Sequence, residues 1–258
     1  MNSIHPTAII NSNAKLGNNI EVGPFSIIDD DVVIGDDCKI GPNVGIYNGA
    51  RIGNRVKIFQ GASVSNQQQD LKYADEITYL HIGDDTVVRE FATLHRGTSA
   101  TTKTIIGNNC LLMAYSHVAH DCIIGNKVII ANGVQVAGHV HIEDQVIIGG
   151  LSAIHQFGKI GQHAMVGGGA MANADIPPYS LVSGYPARFI GLNVVGLKRR
   201  GFSEQDVSVI KEAYKIFYQS GLIFSQALEK LKEQYGENAL VKNIIEFIET
   251  SERGVTRK

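Results

Sequence analysis

Aliphatic residues recur at every sixth position along most of the chain. The series runs Ile4, Ile10, Leu16, Val22, Ile28, Ile34, Ile40, Ile46, Ile52, Ile58 and Val64. It resumes in the same phase at Ile82, Val88 and Leu94, then continues from Ile106 through Val118, Ile130, Val136 and Ile154 to Val166. A period of six matches neither the 3.6 of a helix nor the alternation of a half-buried strand. It predicts hexapeptide repeats of a parallel β-helix, with one short strand per repeat and three repeats per coil of about eighteen residues, the coils spaced about 4.8 Å apart. Glycines beside the aliphatics, such as Gly35, Gly41, Gly53 and Gly125, suit corners where a side chain clashes or φ is positive. A single coil buries little apolar surface, so stability comes from stacking on its neighbours.

The rhythm breaks twice. Residues 65–81 read SNQQQDLKYADEITYLH, and a second polar stretch follows His95, over 96–104. Both breaks keep the phase, and counting alone does not separate a protruding loop from a distorted coil. Their polarity favours loops, where a rigid scaffold tends to carry binding groups. After Val166 the repeat dissolves through Gly167–Gly169, Pro177-Pro178 and Pro186. From Ser203 the pattern is helical, with Asp206 completing a capping-box-like start and Val207, Ile210, Tyr214 and Phe217 forming an apolar stripe. Gly221 suits the stop, and two more amphipathic segments follow near 225–235 and 239–250. The expected division is a repeat domain over 1–190 and a helical domain over 191–258.

Composition narrows the class. Hydrophobic residues make up 44% of the 258, charged residues 19%, and the net charge is −2. That balance argues against nucleic acid as a general partner. No apolar run approaches the roughly 20 residues of a membrane span, and a repeat beginning at Ile4 leaves no room for a signal peptide. Cys38, Cys110 and Cys122 show no zinc-type spacing, which fits reduced thiols in a cytoplasmic protein.

Four of the nine histidines, His5, His81, His141 and His163, have no suggestive partner in the sequence. The segment SHVAHDC, 116–122, is different. Residues eighteen apart in an uninterrupted coil lie one above the other. Gly138 therefore falls over His120, His139 over Asp121, Gln156 over Gly138 and Gln135 over His117, with His155 one position off the column. His117, His120, Asp121, His139, His155 and Gln156 should gather on one edge of three coils. Such a cluster suits general-base catalysis, with an imidazole taking a proton, a carboxylate orienting it and a glycine N–H open to an oxyanion. Adjacent residues of a strand face opposite ways, so Asp121 reaches His120 only if the chain bends. Two other readings stay open: a row of solvated polar residues, and a zinc site using His117, His120 and His139.

Several motifs resemble those of acyl-carrier-protein–UDP-N-acetylglucosamine O-acyltransferases, the family that begins lipid A synthesis. They are IHPTAI, NQQQDLKYA, HRGT, HVAHDC, AGHV, HQF, PPYS, GLKRRGF and AYKIFYQSG, and they span essentially the whole chain. The resemblance implies a mainly β protein: a left-handed parallel β-helix followed by a small α-helical C-terminal domain. It also implies a homotrimer with active sites between subunits. Carried over by position, His120 is the general base, Asp121 assists it and the Gly138 N–H holds the oxyanion. The substrate-binding positions are Gln69, Asp70, Lys72, His95, His117, His139, His155, Gln156, Asn193 and Arg199. Gly168 matches the position that limits acyl length, and glycine there implies a long 3-hydroxyacyl chain. Lys198 and Arg200 belong to a basic run suited to an acidic carrier protein. The resemblance implies no metal and no bound cofactor, with phosphopantetheine delivered on acyl carrier protein and UDP-N-acetylglucosamine as the acceptor.

The chain departs from the family pattern at Val195, where many members are acidic, and at Tyr185-Pro186, where several carry Asn-His. Three alternatives fit the fold: transfer to the 3-amine of a UDP-diamino sugar, the later N-acyltransferase of the same pathway, and a zinc lyase of the γ-carbonic anhydrase kind.

Overall fold

The computed structural model describes residues 1–258. Each repeat contributes a strand that is usually two residues long, and the strands stack into three parallel sheets of 11, 9 and 8 members. Val118 pairs with Val136, and Val136 with Ile154. The in-phase aliphatics thus form ladders inside the prism, in one apolar core of 43 buried residues. The position four beyond each aliphatic also points inward, and Cys38, Cys110 and Cys122 occupy it as buried free thiols. Burial pushes the Cys122 thiol up to about 12, so these cysteines behave as small core residues.

The corner glycines act differently from the sequence expectation. Gly35, Gly41, Gly53 and Gly125 do not adopt positive φ; the left-handed residues lie two positions on, at Asp37, Asn43, Arg55 and Lys127. Those glycines are instead kept small by the next coil: a Cβ on Gly35 would sit 2.8 Å from the Gly53 carbonyl carbon.

Register shows that both breaks are loops inserted into coils. Most coils pair at a spacing of 18 residues, as in Val44 over Ser26. Across the first break Ile58 pairs with Val88, widening the spacing to 30. Across the second, Leu94 pairs with Val118, at a spacing of 24. The coil is uninterrupted above and below, and the extra residues leave it at one corner.

The last strands, Ser180–Ser183 and Arg188–Leu192, pair antiparallel and close the 11-stranded sheet. Four helices follow: α1 (Val194–Arg199), α2 (Glu204–Gln219), α3 (Phe224–Tyr235) and α4 (Ala239–Glu249). Ser203 and Asp206 form a reciprocal capping box on α2. The short α1 was not apparent in the sequence, because Val194-Val195-Gly196 has poor helix propensity; the Asn193 side chain starts it by accepting from Gly196 N. A second core of 13 residues joins the helices to the hairpin through Tyr179 and Phe189, and the buried Tyr214 hydroxyl donates to the Pro178 carbonyl at 2.6 Å. No helix is long and apolar enough to cross a membrane.

Inward and outward positions should differ sharply in cost. Ile130 is fully buried and Ile9 is 66% exposed. Ile130→Ala should lower the unfolding free energy by about 2–5 kcal/mol, whereas Ile9→Ala should change it by no more than about 0.5 kcal/mol. Denaturant melts of the two variants check this.

Candidate active site

The histidine column is built at one corner of the prism. Three residues after each of the stacked aliphatics Val118, Val136 and Ile154 comes a left-handed residue: Asp121 (φ 59°), His139 (φ 60°) and Phe157 (φ 63°). This turn supplies the bend that an extended strand lacks. It brings the side chains of His120 and Asp121 together, with Nδ1 2.8 Å from Oδ2. The His139 N–H donates to the His120 carbonyl at 3.0 Å, and the Phe157 N–H to that of Gly138 at 3.1 Å, so the corner residues of three coils are tied in a column. Gly138 lies over the His120 ring. A Cβ there would be 2.7 Å from Cε1 and 2.8 Å from Nε2, so only glycine leaves the imidazole its place. The Gly138 N–H has no acceptor within the chain.

Asp121 is a dry carboxylate, its side chain fully shielded from solvent. Burial pushes its pKa up, but hydrogen bonds from Thr101, Thr98 and His120 outweigh that and hold it at about 2. The donors are the Thr98 N–H at 3.0 Å, the Thr98 hydroxyl at 2.7 Å, the Thr101 hydroxyl and His120. An ionised carboxylate only accepts, so His120 Nδ1 must be the donor. In the neutral ring this leaves a lone pair on Nε2, beneath Gly138. His139 crosses His120 edge-on, with ring centroids 5.1 Å apart, and stacks on Phe157 at 4.6 Å.

Beside the dyad lies a concavity of about 340 Å³ lined by Gln69, His95, His117, His120, Gln135 and Gly138, among others. His117 is fixed by a 2.7 Å contact between its Nδ1 and Thr93 Oγ1 and meets His95 edge-on at 4.9 Å. Burial, followed by the neighbouring His117, His120 and Arg96, brings His95 down to about 4. Burial, followed by His120, also lowers His117, partly offset by Thr93. A large cavity of about 570 Å³ lies elsewhere, between Phe189, Tyr214 and the lysines of α2, and touches none of these histidines.

The remaining expected residues are spread more widely. Gln69 reaches the concavity from the first loop. Asp70 accepts from the Lys72 N–H at 2.9 Å, and the Lys72 side chain is exposed. His155 and Gln156 are exposed above the dyad, with His155 Nδ1 3.1 Å from the Gln156 carbonyl oxygen. Asn193 is buried and its amide is engaged within the chain, donating to the His163 carbonyl and capping α1. Lys198 and Arg199 are exposed on α1. Arg200, expected beside Lys198 as a carrier contact, is half-buried: its guanidinium leans inward to 3.5 Å from His163 Nδ1, and burial lowers its pKa. Gly168 sits at a different corner from His120, beside Gly150. Val195 and Tyr185 are exposed, Tyr185 at 85%.

Thr93, Thr98, Thr101 and Phe157 were not singled out from the sequence. Thr98 closes the HRGT motif, and Phe157 follows His139 by one coil, so the same eighteen-residue ruler would have found the phenylalanine. The threonines lie in or next to the second break, where the ruler fails.

The zinc trio read from spacing is not the one that the fold gathers. Metal-capable atoms of His120, Asp121 and His139 lie within 4.8 Å of one another, while His117 turns to Thr93. Both Asp121 oxygens already accept hydrogen bonds. A metal–oxygen bond of about 2.0–2.2 Å would have to displace those donors, so the set suits proton transfer better than metal ligation.

The prism is built of hexapeptide repeats and carries a histidine–carboxylate dyad at one corner. The family described as bacterial transferase hexapeptide (six repeats) matches residues 31–66 and 103–138. The one described as Udp N-acetylglucosamine O-acyltransferase, domain 2, matches residues 175–256. The acyl-[acyl-carrier-protein]–UDP-N-acetylglucosamine O-acyltransferases of Myxococcus xanthus and Thiobacillus denitrificans are 46% and 42% identical over 258 residues, with both chains covered in full. A solved UDP-N-acetylglucosamine acyltransferase from Bacteroides fragilis superposes with a TM-score of 0.97 at 44% identity, covering 98% of this chain and all of that one. The chain belongs to the acyl-[acyl-carrier-protein]–UDP-N-acetylglucosamine O-acyltransferase family, and its β-helix is left-handed.

The depressed histidines make stability pH-dependent. His95 and His163 fall from 6.5 to about 4, each chiefly through burial. Above pH 6.5 these rings are neutral in both folded and unfolded chains. Between 6.5 and 4 the unfolded chain binds protons that the folded chain refuses, so stability is lost as pH falls through that window. Asp121 adds a separate loss as pH falls from 3.8 towards 2. Denaturation midpoints measured from pH 7 to 4 should therefore decline, and His95→Gln should flatten part of that slope.

Proposed function

We propose that His120 is the general base for transfer of a 3-hydroxyacyl chain from acyl carrier protein to the 3-hydroxyl of UDP-N-acetylglucosamine, the first step of lipid A biosynthesis. The observation that carries this reading is the His120–Asp121 pair beneath Gly138, opening on a concavity, in a member of this family. The His120 Nε2 lone pair takes the hydroxyl proton as the sugar oxygen attacks the thioester carbonyl. Asp121 keeps Nδ1 protonated and stabilises the imidazolium. The tetrahedral oxyanion is held by the Gly138 N–H, which has no competing partner in the chain. Collapse expels the phosphopantetheine thiolate, which recovers the proton from His120. The bond balance needs no metal and no bound cofactor, since phosphopantetheine arrives on the carrier.

Gln69, Asp70 and Lys72 on the first loop, with His95, His117, His139, His155 and Gln156, form the acceptor side in this reading. Asn193 acts there indirectly, through α1. Lys198 faces the carrier and the exposed Arg199 the nucleotide of the acceptor, whereas the inward lean of Arg200 argues for a structural part. A homotrimer is supported by a second corner of the prism, where Phe25, Phe91, Tyr115 and Leu151 occupy equivalent left-handed positions and remain exposed. Gly168 adjoins that corner. A neighbouring subunit presenting it to the His120 corner would bury the aromatics and supply an apolar wall for the acyl chain. The buried free thiols fit a reducing, cytoplasmic setting.

His120→Ala should reduce turnover by about 10²–10⁴-fold while leaving the oligomer intact by light scattering. Near-normal activity would sink the assignment. A Cβ at Gly168 would meet only the Gly150 backbone, tightly, 3.3 Å from its carbonyl oxygen, and the position is exposed, so a side chain needs a shift of a few tenths of an ångström rather than a rearrangement. Each buried CH₂ is worth about 0.8 kcal/mol, so the open glycine favours a long chain and Gly168→Met should shift selectivity to shorter donors. A wild-type preference for chains of about ten carbons or fewer in competition assays would overturn the groove reading. The same assay run with a 3-amino UDP-sugar separates hydroxyl from amine acceptors.

A further inference from the structure

We infer that Thr98 and Thr101, on the second loop, are positioning residues that clamp the Asp121 carboxylate so that it can orient His120. Three of the four hydrogen bonds accepted by Asp121 come from this loop: the Thr98 N–H, the Thr98 hydroxyl and the Thr101 hydroxyl. The fourth comes from His120. Without the two threonine hydroxyls, a carboxylate with a fully shielded side chain would keep only the backbone N–H of residue 98 and His120 as donors, and a buried charge so poorly solvated either protonates or turns to find other partners. Both responses release Nδ1 of His120. The Thr98 hydroxyl and His120 Nδ1 address the same oxygen, Oδ2, at 2.7 and 2.8 Å, so the clamp acts on the atom that holds the base.

The loop is built to hold this geometry. Thr98 is 7% exposed. Its carbonyl accepts from the Thr102 N–H at 2.7 Å, and the Gly97 N–H donates to the Tyr79 carbonyl at 3.1 Å. A Cβ on Gly97 would collide with the backbone of Lys103, so the HRGT turn depends on glycine to deliver Thr98. The first loop braces the second from outside. Glu76 accepts from the Ser99 N–H at 3.3 Å, and Arg96 donates to the Tyr73 hydroxyl at 2.7 Å. The second break in the hexapeptide rhythm is therefore a support for the base, and neither threonine lines the concavity.

The inference rests on His120 being the base, and the test separates the two. Steady-state kinetics would use the full-length protein, a 3-hydroxyacyl carrier-protein thioester and UDP-N-acetylglucosamine. Loss of one charge-assisted hydrogen bond should lower kcat of Thr98→Val about tenfold, with KM for the sugar nucleotide changed by less than about twofold. Thr98→Ser, which keeps the donor, should restore most of kcat. In an Asp121→Asn background, Thr98→Val should cost less than about twofold, because the carboxylate that it serves is gone. Full kcat in Thr98→Val, or an equal loss in both backgrounds, overturns the clamp. If Thr98→Val does not fold, the more exposed Thr101→Val replaces it under the same criteria. An inactive His120→Ala beside a fully active Thr98→Val removes the clamp alone; an active His120→Ala removes the base assignment and the clamp with it.

Discussion

Stacking of one coil on the next is the constraint that everything else obeys. A strand of two residues has no stability of its own. It becomes part of a sheet only because the coils above and below present the same groups at the same height, eighteen residues away. Inward aliphatics then meet aliphatics, as in the Val118, Val136 and Ile154 ladder. Corner glycines such as Gly35 are required because the next coil approaches too closely for a Cβ. The same stacking forces corner residues into columns, so a polar group on one coil acquires fixed neighbours on the next.

The site exploits a feature of the corner, not of the strand. At most corners one residue takes left-handed φ, at a cost that a rigid stack can bear. At Asp121 this turns a carboxylate towards the preceding histidine, and at His139 and Phe157 it places two rings in face-to-face contact. Placing a carboxylate there would be unfavourable in isolation. Its burial is compensated by donors from a loop that leaves the coil where the register widens to 24 residues. The interruption of the repeat and the dry carboxylate thus belong to one solution.

Some of this was legible from residue spacing. The period of six gave the prism, and its multiple of eighteen put Gly138 over His120 and Gln135 over His117. It also gathered His139, His155 and Gln156 nearby. The loops were visible as interruptions, but the count could not say what they touched. Thr98 and Thr101 were missed because no stacking rule applies inside an insertion. Arg200 was read as part of a basic run suited to an acidic carrier protein, and its guanidinium lies 3.5 Å from His163 Nδ1. Asn193 was read as a substrate contact, and its amide is engaged in starting that helix.

By itself, the sequence determined which residues face inward and which share a corner, because a repeating backbone turns position along the chain directly into position in space. The tertiary structure alone decided which way the corner side chains turn, what the inserted loops grip and which charges are dry. Those depend on left-handed backbone angles and on hydrogen bonds between segments at unrelated spacings, and no period in the chain encodes either.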